Sequence, residues 1–161
     1  MYLITGGNGQ LGTELRHLLD ETGVDYVSTD AQEMDITDSE ATTRKVHEIK
    51  PNVIFHCAAY TAVDQAEDEG KALDEKINVE GTRNVAQAAK AVGSTLVYIS
   101  TDYVFDGTKK EGEYRVDDPV NPLNEYGRTK LLGEQAVQEI LSDYYIIRTS
   151  WVFGQYGHNF V

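Results

Sequence analysis

Of the ten tyrosines in the chain, only Tyr126 is followed four residues later by a lysine, Lys130. On a helix that spacing puts both side chains on one face. A free phenol, with a pKa near ~10, is a poor proton donor at neutral pH. A neighbouring ammonium stabilises the phenolate, so the pair is expected to have a lowered phenol pKa suited to general acid catalysis. Thr101, at the end of an apolar strand, can offer its hydroxyl to the oxygen of a substrate carbonyl. Thr101, Tyr126 and Lys130 are therefore the candidate catalytic residues. Taken alone, Tyr-x-x-x-Lys is a common accident of exposed helices; its weight comes from the N-terminal turn.

Met1-Tyr2-Leu3-Ile4-Thr5 is a short apolar run that predicts a buried parallel strand. Gly6-Gly7-Asn8-Gly9-Gln10-Leu11-Gly12 follows at once, then a helical pattern over Thr13 to Glu21, with Leu11, Leu15, Leu18 and Leu19 on one face. Gly7, Gly9 and Gly12 fit the dinucleotide fingerprint, and Gly6, Gly9 and Gly12 its wider-spaced relative. A helix starting at such a turn presents free N–H groups and a positive dipole end to an anion. Asp30 ends the next strand 18 residues after Gly12, where a carboxylate takes the ribose hydroxyls. It also repels a 2′-phosphate, and no arginine is expected behind the glycine turn to attract one. NADH is thus expected as cofactor, with NADPH as the alternative.

The elements that must carry these residues alternate along the chain. A strand is predicted over Asp25 to Thr29, a short extended piece over Glu33 to Ile36, and a helix from a Thr37 or Asp38 cap to Ile49. Pro51 stops that helix ahead of a strand over Asn52 to Cys57. A helical run from Val63 to about Ala91 breaks near Gly70. A strand over Thr95 to Ser100, a helix from Pro122-Leu123 to about Leu141 and a strand over Tyr144 to Arg148 complete the pattern. Strands alternating with helices predict α/β architecture: a doubly wound, Rossmann-like parallel sheet. Asn159-Phe160-Val161 reads as the start of a further helix. Residues 1–161 are therefore expected to be an NAD(P)-binding Rossmann-like domain, with a substrate-binding subdomain absent from this chain.

Composition narrows the partners. The formal net charge is −13, from 27 acidic and 14 scattered basic residues, which argues against a nucleic-acid footprint. No apolar stretch approaches a membrane span, and the first strand leaves no room for a signal peptide. One cysteine, Cys57, reads as a small apolar core residue and suits a reducing compartment, so the cytoplasm is the default. The four histidines show no metal-ligand spacing, and no metal is expected. His56 reads as a core histidine.

Three segments carry a resemblance: Ser100-Thr101-Asp102-Tyr103-Val104-Phe105-Asp106-Gly107, Tyr126-Gly127-Arg128-Thr129-Lys130, and Arg148-Thr149-Ser150-Trp151-Val152-Phe153-Gly154. They resemble the extended short-chain dehydrogenases/reductases, and within these the dTDP-4-dehydrorhamnose reductase family. Ala58-Ala59-Tyr60-Thr61-Ala62-Val63-Asp64, Glu67 and Asn78-Val79 match the same subgroup. The resemblance implies reduction of the 4-keto group of dTDP-4-dehydro-L-rhamnose to dTDP-L-rhamnose, in nucleotide-sugar biosynthesis. It implies that Tyr126 protonates the oxygen, that Lys130 holds the nicotinamide ribose, and that Thr101 orients the carbonyl. Tyr103 and Trp151 would face the sugar, Gln10 and Leu11 the pyrophosphate, and Asp35 and Ile36 the adenine. Ala58, Ala59, Tyr60 and Asn78 join the cofactor-binding set. Tyr103 and Trp151 could equally be packing aromatics, and Asp35 a turn former.

The partner implied is a nucleotide sugar, with a homodimer as a candidate assembly. Little in the chain could hold the sugar's diphosphate; beside Lys130, Arg128 is the one basic residue near the start of the catalytic helix. A dehydratase would need an acid where Tyr103 stands. A nucleotide-sugar 4-epimerase uses the same Tyr, Lys and Ser/Thr trio, but the run from Asp102 to Phe105 disfavours it. A non-catalytic nucleotide-binding regulatory subunit, like that of methionine adenosyltransferase, is opposed by the intact trio.

Overall fold

The computed structural model describes residues 1–161. Five short strands, β1 (Tyr2–Thr5), β2 (Tyr26–Thr29), β3 (Val53–His56), β4 (Thr95–Thr101) and β5 (Tyr144–Thr149), form one sheet in the order β2-β1-β3-β4-β5. Every pairing is parallel, so each connection must cross back over a face of the sheet. The crossovers are α1 (Gln10–Thr22), α2 (Ser39–Ile49), a chain of helices between β3 and β4, and α6 (Glu125–Ile140). This is the doubly wound α/β arrangement that the alternation of elements predicts.

Local chemistry sets the boundaries. Asp38 caps α2 by accepting from the Ala41 N–H at 2.9 Å. Lys50, with φ 47°, turns the chain out of the helix ahead of Pro51. Asn124 caps α6 through the Gly127 N–H at 2.7 Å, and Glu67 accepts from the Glu125 N–H at 2.6 Å. The helical run between β3 and β4 divides into α3 (Val63–Ala66), α4 (Lys71–Glu75), a π-helical segment (Lys76–Gly81) and α5 (Thr82–Val92).

The core lies where Leu3, Ile54, Leu96 and Tyr98 of the sheet meet Val46 of α2, Val85 and Ala89 of α5 and Val137 of α6. One expectation is corrected. Leu18 is 54% exposed, because it points outward from α1 while Leu19 packs inward. Residues 33–36 pair with no strand; Met34 and Ile36 are drawn into the core from the loop between β2 and α2. No helix is long and apolar enough to cross a membrane.

Candidate active site

In a parallel sheet all carboxyl ends lie at one edge, and ligands bind in the crevice beyond them. Here that crevice is a cleft of about 1150 Å³. Gly6, Gly9, Gln10, Leu11 and Gly12 line it from the turn after β1; Asp30, Asp35 and Ile36 line one end. Ala58 and Ala59 follow β3, Thr101 and Tyr103 close β4, Tyr126 and Lys130 come from α6, and Trp151 follows β5. The cleft thus brings together fifteen of the sequence-derived candidates. Tyr60 and Asn78 stand outside the lining. Asn78, buried, accepts from the Tyr60 N–H at 2.9 Å and donates to the Tyr60 carbonyl at 3.1 Å. It shapes the segment after β3 from behind.

The glycine turn fits a bound pyrophosphate. Gly6 has φ 67°, and a Cβ there would lie 2.7 Å from the Ala58 backbone. A Cβ on Gly12 would lie 2.2 Å from the Gly6 carbonyl oxygen, so helix and turn close up only without side chains. No side chain caps the first turn of α1. The Gln10 Nε2, buried beside the cleft, has no partner. An unspent amide donor next to uncapped helical N–H groups is what an anionic diphosphate would satisfy.

At the adenosine end the structure amends the sequence. Asp30 Oδ2 accepts from the Asn8 N–H at 2.7 Å. Arg16, four residues after Gly12, directs Nη1 to the Gly7 carbonyl at 3.3 Å and to Asn8 Oδ1 at 3.1 Å. Arg16, Asn8, Ser28, Asp30 and Glu33 line a small polar recess. An arginine does therefore stand behind the glycine turn, one helical turn further on than the fingerprint covers. Asp35 forms its own turn, accepting from the Thr37 N–H at 2.9 Å and hydroxyl at 2.7 Å, which holds its carboxyl below the usual range. It is a turn former and a cleft residue at once. Lys76, which sequence reasoning missed, also lines that end and faces Asp35. It opens the π-helical segment, and nothing in its type or spacing singled it out among the scattered basic residues.

At the catalytic end, Lys130 is 3% exposed, and its Nζ donates to the Ile99 carbonyl at 2.6 Å and sits 4.5 Å above the Tyr98 ring. Burial pushes its pKa down to about 8. Tyr126 packs edge-on against Tyr103, with ring centres 6.0 Å apart. Its phenol is pushed up to about 12, first by burial and then by Asp74, Asp102 and Tyr103. The expected lowering by Lys130 is not realised, because that ammonium is turned to Ile99 while burial and anions surround the phenol. Thr101 accepts from the Tyr103 N–H at 3.1 Å and donates to Asp102 Oδ1 at 3.3 Å.

Other candidates resolve differently. Arg128 is clamped between Glu125 and Glu75, at 2.9 Å from the latter, and does not line the cleft. It is not free to hold a diphosphate. His56 lies between Thr5 Oγ1 at 2.7 Å and Thr82 Oγ1 at 3.0 Å, a satisfied core histidine whose pKa burial lowers to about 3. Burial pushes the Cys57 thiol up to about 12, leaving it an inert neighbour of the cleft. Tyr103 is 46% and Trp151 75% exposed, the latter edge-on to Phe160.

The chain is similar to known proteins along its whole length. A curated protein of Streptomyces griseus named dTDP-4-dehydrorhamnose reductase is 48% identical over 161 residues, 99% of this chain and 52% of its own length. The crystal structure of a dTDP-4-dehydrorhamnose reductase from Clostridium acetobutylicum superimposes with a TM-score of 0.94 at 49% identity, over 99% of this chain and 56% of that one. One from Bacillus anthracis, in complex with NADP, gives 0.94 at 48% identity, over 99% of this chain and 56% of that one. The chain spans about half the length of the relatives it matches. A family profile described as the RmlD substrate binding domain matches residues 1–161, and the chain belongs to that family.

Proposed function

We propose that this chain is the nicotinamide-binding and proton-donating part of an enzyme that reduces the 4-keto group of dTDP-4-dehydro-L-rhamnose to dTDP-L-rhamnose. The observation that supports it is the opening of Thr101, Tyr126 and Lys130 into the same cleft as the glycine turn. The names of its relatives supply the substrate class.

The Gly6–Gly12 turn, with Gln10 and Leu11, would hold the pyrophosphate, and Asp30, Asp35 and Ile36 the adenosine end. When bound, the dinucleotide supplies hydride to the sugar carbon. Thr101 orients the carbonyl, turning its hydroxyl from Asp102 to the substrate oxygen. Tyr126, with a pKa of about 12, holds its proton throughout the neutral range and gives it to the oxygen as the carbon takes hydride. The phenolate then regains a proton from solvent. Lys130, with a pKa of about 8, is charged at neutral pH and, once turned from the Ile99 carbonyl, would bond the nicotinamide ribose and stabilise that transient phenolate. Exposed Tyr103 and Trp151 would bear on the sugar. Arg128, clamped between two glutamates, is not the group that would hold the diphosphate.

For the cofactor, Asp30 favours NADH, while Arg16 beside it softens the penalty on a 2′-phosphate, so NADPH is also used. Binding of NADPH tenfold tighter than NADH would overturn the role given to Asp30. The chemistry is tested by NAD(P)H oxidation with a dTDP-4-keto sugar in the full-length protein. Tyr126→Phe is expected to lower kcat by about 10² to 10⁴; a loss below tenfold would remove the phenol from this role.

A further inference from the structure

Behind the catalytic turn of α6 lies a carboxyl group that the mechanism above does not use. Asp74 is fully buried at 0% exposure, the fourth residue of α4 and two residues before the π-helical segment. Its Oδ1 accepts from Asn78 Nδ2 at 2.6 Å and from the Thr129 hydroxyl at 2.9 Å. Its Oδ2 has no partner. Each donor leads to the site. Thr129 stands between Tyr126 and Lys130, itself buried at 0% exposure, with its hydroxyl 3.0 Å from the Tyr126 carbonyl. Asn78 holds both backbone polar groups of Tyr60, just after the cleft residues Ala58 and Ala59. One carboxyl group therefore joins the catalytic turn of α6, the π-helical segment and the chain after β3.

We propose that Asp74 is a positioning residue for the carbonyl reduction: its carboxylate fixes the Tyr126–Lys130 turn against Asn78 through Thr129. The proposal rests on the assignment of Tyr126 as the proton donor. Two donated hydrogen bonds converge on Oδ1, as suits an ionised carboxylate. Oδ2 lacks a partner in either protonation state, so it is the two donors gathered at Oδ1 that favour the carboxylate. The field at this point is mixed. From α6 come Glu125, Tyr126, Arg128, Lys130 and Glu134; Tyr98 lies on β4, Asp102 and Tyr103 follow it, and Cys57 follows β3. Buried Lys130 is the cation that the Asp74 and Glu134 carboxylates stabilise. Burial raises the Asp74 pKa, while the bonds from Thr129 and Asn78 oppose the rise. After burial, Asp74 is the foremost influence holding the Tyr126 proton in place.

The test is the pH profile of kcat in the full-length protein. Asp74→Asn keeps the shape and both acceptor contacts at Oδ1 but removes the charge. With that charge gone, Lys130 should release its proton more readily and Tyr126 should ionise more readily, so the alkaline limb should move to lower pH. Asp74→Glu, which keeps the charge but lengthens the side chain, should lose rate with the limb in place. An unmoved limb in a folded, active Asp74→Asn protein would overturn the proposal. Carboxyl-carbon NMR of the unsubstituted protein provides a reading that needs no variant: Asp74 should be ionised at pH 7, and a protonated signal there would also overturn it. Retention of activity by Tyr126→Phe would instead refute the underlying mechanism, so the two failures are distinct.

Discussion

At the scale of single residues, the candidate site was legible wherever type and spacing carry the chemistry. The glycines, the Tyr–Lys pair and Thr101 could be named from sequence because a tight turn, a helical repeat and a strand end fix where they point. Charge balance could not be read in the same way. Asp30 suggested exclusion of a 2′-phosphate, yet Arg16 reaches back across a helical turn to Asn8, beside that carboxylate. We expect Arg16→Ala to lower the NADPH-to-NADH ratio of kcat/KM by roughly fivefold, the worth of one exposed ion pair of about 1 kcal/mol. Steady-state kinetics with both cofactors measures it, and an unchanged ratio would leave Asp30 as the sole discriminator. Likewise, the sequence placed Lys130 beside Tyr126 but could not show that its ammonium faces the Ile99 carbonyl.

At the scale of elements, all five strands were legible to within a residue or two, because buried parallel strands are near-continuous apolar runs. The helical run before β4 was legible only as a run. Its π-helical segment has no periodic signature, yet it sets the positions of Lys76 and Asn78. The contact that seats it is a glycine. A Cβ on Gly133 of α6 would lie 2.2 Å from Tyr98 Oη and 2.9 Å from the Asn78 carbonyl oxygen. Gly133→Ala should therefore destabilise the fold by about 1 to 3 kcal/mol, read as a lower urea midpoint. Because Tyr98 Oη donates to the Lys130 carbonyl at 3.2 Å, kcat should fall as well. Gly12→Ala acts on a different element: by pushing α1 off Gly6 it should weaken dinucleotide binding by at least about tenfold, seen by titration.

At the scale of the whole molecule, sheet and helix meet over a histidine that must stay uncharged. His56 sits between β1 and α5, its folded pKa of about 3 far below the ~6.5 of the unfolded chain. A depressed histidine pKa means that the unfolded state binds the proton more readily. Its contribution to stability is complete above about pH 6.5 and lost as pH falls towards 3. Between pH 7 and pH 4.5 the loss should be about 2 to 3 kcal/mol. Urea unfolding at the two pH values measures it, and His56→Gln should show a smaller decline. An equal decline in both proteins would shift the cause to the carboxylates.

The order β2-β1-β3-β4-β5 also bears on how the chain is made. Once residues 1–56 have emerged, the strand that carries the glycine turn already has both its neighbours, and β4 and β5 then add in sequence order to the same open edge. A nascent chain on the ribosome can grow this sheet outward without waiting for a distant strand to be inserted between two existing ones. The glycine turn would then be seated early in synthesis, before Thr101, Tyr126 and Lys130 emerge.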